Sequence, residues 1–536
     1  MSLSQWHVCT ACALVLATCS GSASEAAKTE AVRRLQADVY FLASDALEGR
    51  GTPSRGLDVA ALYLETQLKI SGVEPALRTS FRQTYKIGEY KPSEAATTIK
   101  IDGKLLSAKD YVLINIGRDP AQGPMDLEMV YAANGVVAEE RNVNDYEGLD
   151  IRGKAVVVRK GAPWPPDPEQ VFGPDRAMGK LMAATVRGAP LLVYLSKDLD
   201  TGSEAEAGFF REMKDAPVAF LREPGLGLPS ALNPLLVLKP EALGADARQL
   251  KKGPLGKKIQ ISIEARVNEG LASNVLGKIP GRDPALREEW VVLSAHYDHL
   301  GSHSVPEGQD GIWNGADDNA SGTAGVLEVA RRLAQNPGKR SVLVFFTSGE
   351  DRGILGSAYY AAHPVVPMEK VAVQLNLDMI GRSQGKVEGI AACAPNLFQQ
   401  TAEVGKKRGV EVIPDQHPTW RVVYLTDVYH FAKNGVPGIE FFTGVHPDYH
   451  QPSDTADKIR YEEMARIVDT AAELARAYAD GRPKPAGWTR ICVHLWFHFV
   501  QFTHFKSLQA RQARTSRLCV HVHRRLRRQG RERLCE

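Results

Sequence analysis

A chain of 536 residues with 43% hydrophobic content exceeds one ordinary domain and can bury a substantial core, so two or three units are expected. The formal charge of +3 is lopsided: 11 Lys and Arg against 2 acidic residues lie from Gly487 to Glu536, leaving the preceding body at −6. A mildly acidic body without an Arg-rich stripe gives no argument for nucleic acid, so no such partner is expected, and a nucleic-acid or membrane-surface role would rest on the basic tail alone. The seven cysteines exclude an internal disulfide framework and a thiolate metal site, because only Cys393 falls between Cys9, Cys12 and Cys19 near the start and Cys492, Cys519 and Cys535 near the end.

In chain order, ACALVLATCSGSA at 11–23 is a short apolar run followed by small residues. It predicts a secretory signal over 1–24 and a secreted or periplasmic protein, and it is too short to span a bilayer. Its LATC at 16–19 makes Cys19 a candidate lipid-anchor site. No other stretch approaches the ~20 apolar residues of a membrane helix. Residues 29–43 and 57–70 carry helical spacing, with the Gly-rich LEGRGTPSRG between them as a loop. They belong to an N-terminal part, 25–105, of the main domain.

Over 106–266 the texture changes to short apolar runs separated by Gly, Pro and Asp, with one helical stretch at Met178–Val186, which predicts a small β-rich insert. DYEGLDIRGKAVVVRKG at 145–161 and AATVRGAPLLVY at 183–194 resemble a protease-associated (PA) domain, which implies a lid or substrate-facing module rather than a catalytic one. From 267 to 485 strands and helices alternate. Strands are expected at 273–279, 290–295, 341–347, 371–377 and 436–442, and helices at 320–335, 354–362, 395–408 and 457–479. This pattern predicts an α/β domain with a mixed, mostly parallel sheet sandwiched between helices. Residues 486–536 form a basic tail without domain texture, expected to be disordered or aberrant.

Acidic and imidazole residues follow the apolar runs: His296 and Asp298 in AHYDHLG, Asp317 and Asp318 in NGADDNASG, Glu350 and Asp351 in SGEDRG, Asp378 in NLDMIGR, and Tyr449 and His450 in HPDYHQPSDT. Strand ends of such a sheet converge on one edge, so His296, Asp318, Glu350, Asp351, Asp378 and His450 should meet there. Two imidazoles with several carboxylates and no thiol suit zinc, with manganese or cobalt as alternatives. The set is too large for one ion. If one carboxylate bridges two ions, one acid is left over, and an uncoordinated carboxylate beside such a centre can act as general base and acid. Among bland readings, Asp317 is expected as a helix N-cap, and His299, His303, His363, His417, His430 and His446 as surface or loop residues. Asp454 and Thr455 should fix the loop behind His450. Arg382 is either a substrate contact or a structural ion pair.

These motifs, in this order over some 155 residues, resemble those of the M28 zinc metallopeptidases, the family of bacterial co-catalytic dizinc aminopeptidases. The resemblance implies a zinc exopeptidase fold and two zinc ions, with Asp318 bridging, His296 and Asp378 completing one site, and Asp351 and His450 the other. Glu350 would be the general base, Asp298 the partner that orients His296, and Tyr449 a donor to the tetrahedral oxyanion. Asp351 stands where Glu is commoner. The implied activity is removal of N-terminal residues from peptide substrates by metal-activated water. Carboxypeptidases, glutaminyl cyclases and non-catalytic binding modules built on the same fold are the alternatives.

Overall fold

The computed structural model describes residues 28–91, 97–114, 123–138, 141–165, 174–199, 218–223, 233–244, 249–392, 394–416 and 422–485. The expected signal segment, Cys19, Cys393, His417 and the basic tail lie outside these residues. No helix among those described is long and apolar enough to cross a membrane.

The body is built on a 10-stranded sheet. At its centre Ser341–Thr347, Trp290–His296, Val371–Leu377 and Gly438–Phe442 run parallel to one another. Antiparallel strands flank them, with Asn268–Ile279, Arg82–Tyr90 and Val218–Leu221 on one side and Lys386–Ala392 on the other. The central strands are buried on both faces and therefore read as continuous apolar runs, SVLVFFT and VAVQLNL among them.

Alternation along each strand divides the core. Val291, Leu293 and Ala295 meet the helices on one face, and Val292, Leu343 and Phe345 meet Tyr360 and Phe431 on the other. The first face is covered by residues 28–42, Arg55–Ile70, Gly322–Gln335, Pro395–Arg408 and Tyr461–Ala479. Ser54 caps the Arg55–Ile70 helix by accepting the Leu57 N–H at 3.0 Å. The last helix has no side-chain cap. It is held by packing: Met464, Ile467, Val468, Leu474 and Tyr478 are fully buried, at about 1.5–3 kcal/mol for each large apolar side chain.

A separate 8-stranded sheet carries most of the β-rich segment. It takes in Thr97–Ile101, ahead of the expected boundary at 106, because that strand pairs with Gly253–Ile263. Conversely Val218–Leu221, expected within the insert, hydrogen-bonds to Arg82–Tyr90 at the edge of the main sheet. The helix Ala177–Thr185 covers one face of the second sheet, and Leu425 and Tyr429 of the main body pack against that same cluster.

Candidate active site

The carboxyl ends of the parallel strands open on one edge, and the predicted residues arrive there from separate segments. His296 ends its strand, Glu350 and Asp351 follow Thr347 by a tight turn closed by Gly353 and Ile354 N–H groups donating to Glu350 O (2.9 and 2.8 Å), and Asp378 follows Leu377. Asp318 lies between Gly315 and the helix that starts at Gly322. A Cβ at Gly315 would meet Asp318 O at 2.2 Å, and one at Gly322 would meet Leu377 O at 2.1 Å, so both positions need glycine for close approach. Asp454 Oδ2 accepts the backbone N–H groups of both Asp317 and Asp318, at 2.8 and 3.1 Å. His450 (φ 55°) and Met379 (φ 49°), next to Asp378, are held in the left-handed region. Non-glycine residues stay there only where their surroundings over-determine them.

The central contact is the Asp318 carboxylate, whose two oxygens face two imidazoles. Oδ1 lies 3.2 Å from His296 Nε2, and Oδ2 lies 3.2 Å from His450 Nε2. Asp378 Oδ1 is 3.4 Å from His296 Nε2, and Asp351 Oδ1 is 3.4 Å from His450 Nε2. Ligand atoms of His296, Asp318 and Asp351 all lie within 4.8 Å of one another. His450 Nε2 and Asp378 Oδ1 are buried without a hydrogen-bond partner despite these short separations. Atoms that converge without bonding one another suit a common cation better than a hydrogen-bond network, and a nitrogen and oxygen donor set without sulfur suits zinc.

Electrostatics follows the same geometry. Burial opposes charge on both imidazoles, yet Asp378, Asp298 and Asp318 hold His296 well above its ordinary value, and Asp318 and Asp351 push His450 up to about 10. Against burial, His299, His296 and His450 hold Asp318 well below the usual carboxylate range. Glu350 behaves oppositely: burial raises it well above its ordinary value, with Asp351 and Asp378 adding to the shift over an opposing His296. Asp318 and Glu350 are thus shifted in opposite directions by their surroundings.

Supporting contacts refine the sequence expectations. Asp298 Oδ1 is 3.7 Å from His296 Nδ1, longer than a hydrogen bond, whereas Oδ2 accepts Gly349 N–H at 2.7 Å and the Thr52 hydroxyl at 2.8 Å. Asp298 therefore ties the Glu350 turn and the Thr52 loop to the site. Tyr449 stacks its ring on His450, with centroids 3.8 Å apart. Arg382 forms an ion pair with Asp448 at 2.7 Å.

One bland reading is corrected, and the histidines read as surface or loop residues are placed more closely. Asp317 is not an N-cap: its carboxylate accepts Gly381 N–H at 2.6 Å and Ser321 Oγ at 3.1 Å and faces His446 Nε2 at 3.1 Å, joining three loops. His446, read as a loop residue, is therefore part of this scaffold. His299, also read as a loop residue, is fully buried with Nδ1 3.1 Å from Asp351 Oδ2 and 3.8 Å from Asp318 Oδ2. Its distance of three residues from His296 was the available signal. His430 is buried as well, whereas His363 is 43% exposed beside Glu223 and His303 packs edge-on to Trp313.

The sequence reading passed over Arg50. It is fully buried in the Gly-rich segment and donates to Tyr297 O (2.9 Å), Asn314 O (2.7 Å), Gly315 O (2.9 Å) and Leu42 O. Of these, the Tyr297 carbonyl lies within the His296–Asp298 segment, and those of Asn314 and Gly315 precede Asp317 and Asp318.

Comparison with known proteins bears on what this arrangement does. Residues 274–475 match the model of "Peptidase family M28". The aminopeptidase YwaD of Bacillus subtilis is 27% identical over 237 residues, covering 42% of this chain and 50% of that protein. Leucine aminopeptidase 1 of Trichophyton rubrum is 33% identical over 223 residues, covering 38% and 58%. The chain thus spans between half and two thirds of these relatives. Among solved structures, an aminopeptidase from Aneurinibacillus sp. strain AM-1 is 20% identical with a TM-score of 0.47, covering 84% of this chain and 94% of that one.

Proposed function

This chain belongs to peptidase family M28 through residues 274–475, and on that premise we propose that it is an aminopeptidase that holds two zinc ions and releases N-terminal residues from peptides. The observation that carries the reading is the split of Asp318, one carboxylate oxygen toward His296 and the other toward His450, each imidazole also 3.4 Å from a further carboxylate. Asp318 would bridge the ions, His296 and Asp378 would complete one site, and Asp351 and His450 the other. The ions would supply Lewis acidity toward the scissile carbonyl and toward water at neutral pH.

The protein's own residues do the rest. Glu350, uncoordinated and raised by burial, takes a proton from the attacking water and returns it to the leaving amine. Tyr449, fixed by its stack on His450, points to a hydrogen-bond donor for the oxyanion. His299 holds the outer oxygen of Asp351 at 3.1 Å, and Asp298 fixes the backbone at Gly349 and Glu350. Both keep the reacting carboxylates from drifting. Export by the N-terminal segment is part of the same proposal.

The test is a panel of aminoacyl-p-nitroanilides and N-blocked peptides, assayed with chelator and after zinc is restored. Cleavage confined to free amino termini, lost with chelator and recovered with zinc, is expected. Cleavage of blocked peptides, or turnover that survives chelation, would overturn the assignment.

A further inference from the structure

Beside the candidate metal centre two paired strands carry acids that the proposed chemistry does not use. Glu388 pairs in register with Phe442, and Ile390 with Glu440, across the antiparallel strands Lys386–Ala392 and Gly438–Phe442. All four side chains therefore share one face, with the two glutamates as diagonal neighbours roughly 7–8 Å apart. Met379, Ile390, Val423 and Phe442 form one apolar cluster there, with Val422 and Tyr449 packed against it. These four keep 3–7% of their surface exposed, whereas Val373, Leu375, Ile439 and Phe441 on the opposite face are at 0%. The cluster is buried, with slightly more exposure at these four residues than on the opposite face. Through Tyr449, stacked on His450, it adjoins the site.

Glu440 is 1% exposed, one oxygen accepts the Thr426 hydroxyl, and the other, Oε1, is buried without a partner. Glu388 accepts Gln416 N–H at 2.9 Å through Oε2. Among the described residues no lysine or arginine pairs with either acid. Burial without a countercharge raises Glu388 to about 7 and Glu440 well above its ordinary value, the latter with Asp378 and Asp427 adding. An unpaired acid among apolar side chains is costly, and a cation entering from outside would remove that cost.

We propose that this cluster walls the pocket for the side chain of the N-terminal residue, and that Glu440 and Glu388 select substrates beginning with lysine or arginine. The proposal rests on the aminopeptidase reading above. A lysine or arginine stem would lie along Met379, Ile390 and Phe442 while its charged head meets the two carboxylates. A leucine would fill the apolar wall and leave both acids unpaired.

The experiment compares kcat/KM for Lys-, Arg- and Leu-p-nitroanilide with wild-type protein, Glu440→Gln and Glu388→Gln. The wild type should favour the basic substrates by about 30-fold or more, the scale of one buried charge pair, and each variant should reduce that ratio. Wild-type preference for Leu would overturn the proposal whether or not the variants fold. A preference for Lys and Arg that survives both substitutions would overturn the assignment of these acids. Absence of cleavage with every free-amine substrate would instead sink the aminopeptidase reading itself, and this proposal with it.

Discussion

Replacing Arg50 with methionine tests how the two halves of the site are held together. The guanidinium is fully buried and donates to four carbonyls, at Leu42, Tyr297, Asn314 and Gly315. Burial lowers Arg50 to about 10, so keeping it charged costs the fold roughly 3 kcal/mol at about 1.4 kcal/mol per pKa unit. Hydrogen bonds from a charged donor contribute about 1.5–3 kcal/mol each, and four of them outweigh that cost. Methionine fills similar volume but leaves the carbonyls without donors, so the variant should lose about 3 kcal/mol or more. A melting curve followed by circular dichroism should fall by about 5 °C or more. Metal analysis after gel filtration should also show reduced content, because Gly315 and Tyr297 adjoin the segments bearing Asp318 and His296. Arg50→Lys should rescue little, since a point charge cannot serve four directions. A variant with an unchanged melting temperature and full metal content would refute the reasoning.

Three further outcomes are expected. Glu350→Gln should retain its metal while kcat falls by about 10²–10⁴-fold, the scale of general acid–base catalysis; an active variant removes Glu350 from that role. His450→Ala should lower metal content by elemental analysis, and two full equivalents would contradict its assignment as a ligand. Glu388 has a folded-state pKa of about 7, raised from 4.5, so its stabilising contribution is full below pH 4.5 and is lost as pH rises through about 7. Glu388→Gln should therefore match the wild type at pH 4 in its melting temperature and exceed it at pH 8, and a constant difference across that range would contradict the burial argument.

Much of the central sheet was legible because its strands are buried on both faces and read as uninterrupted apolar runs. The residues at their ends, His296, Glu350, Asp351 and Asp378, were legible for the same reason. The flanking strands were harder. Arg82–Tyr90 is half-exposed and alternates in burial, and Lys386–Ala392 is interrupted by Glu388 and Gly389. The strand holding Glu440 was expected, but a strand pattern does not say that a glutamate within it is buried. His299 and Arg50 were missed because each lies in a loop-like sequence whose burial depends on distant partners, Asp351 and the 297–315 carbonyls. The reading of Asp317 as a cap failed because its neighbours Gly381 and His446 arrive from 64 and 129 residues away.

The most direct test of the account is anomalous diffraction from crystals soaked in zinc. Two peaks about 3.5–4 Å apart are predicted, one beside His296 and Asp378, the other beside Asp351 and His450, with Asp318 touching both. A single peak, or peaks that do not share Asp318, would contradict it.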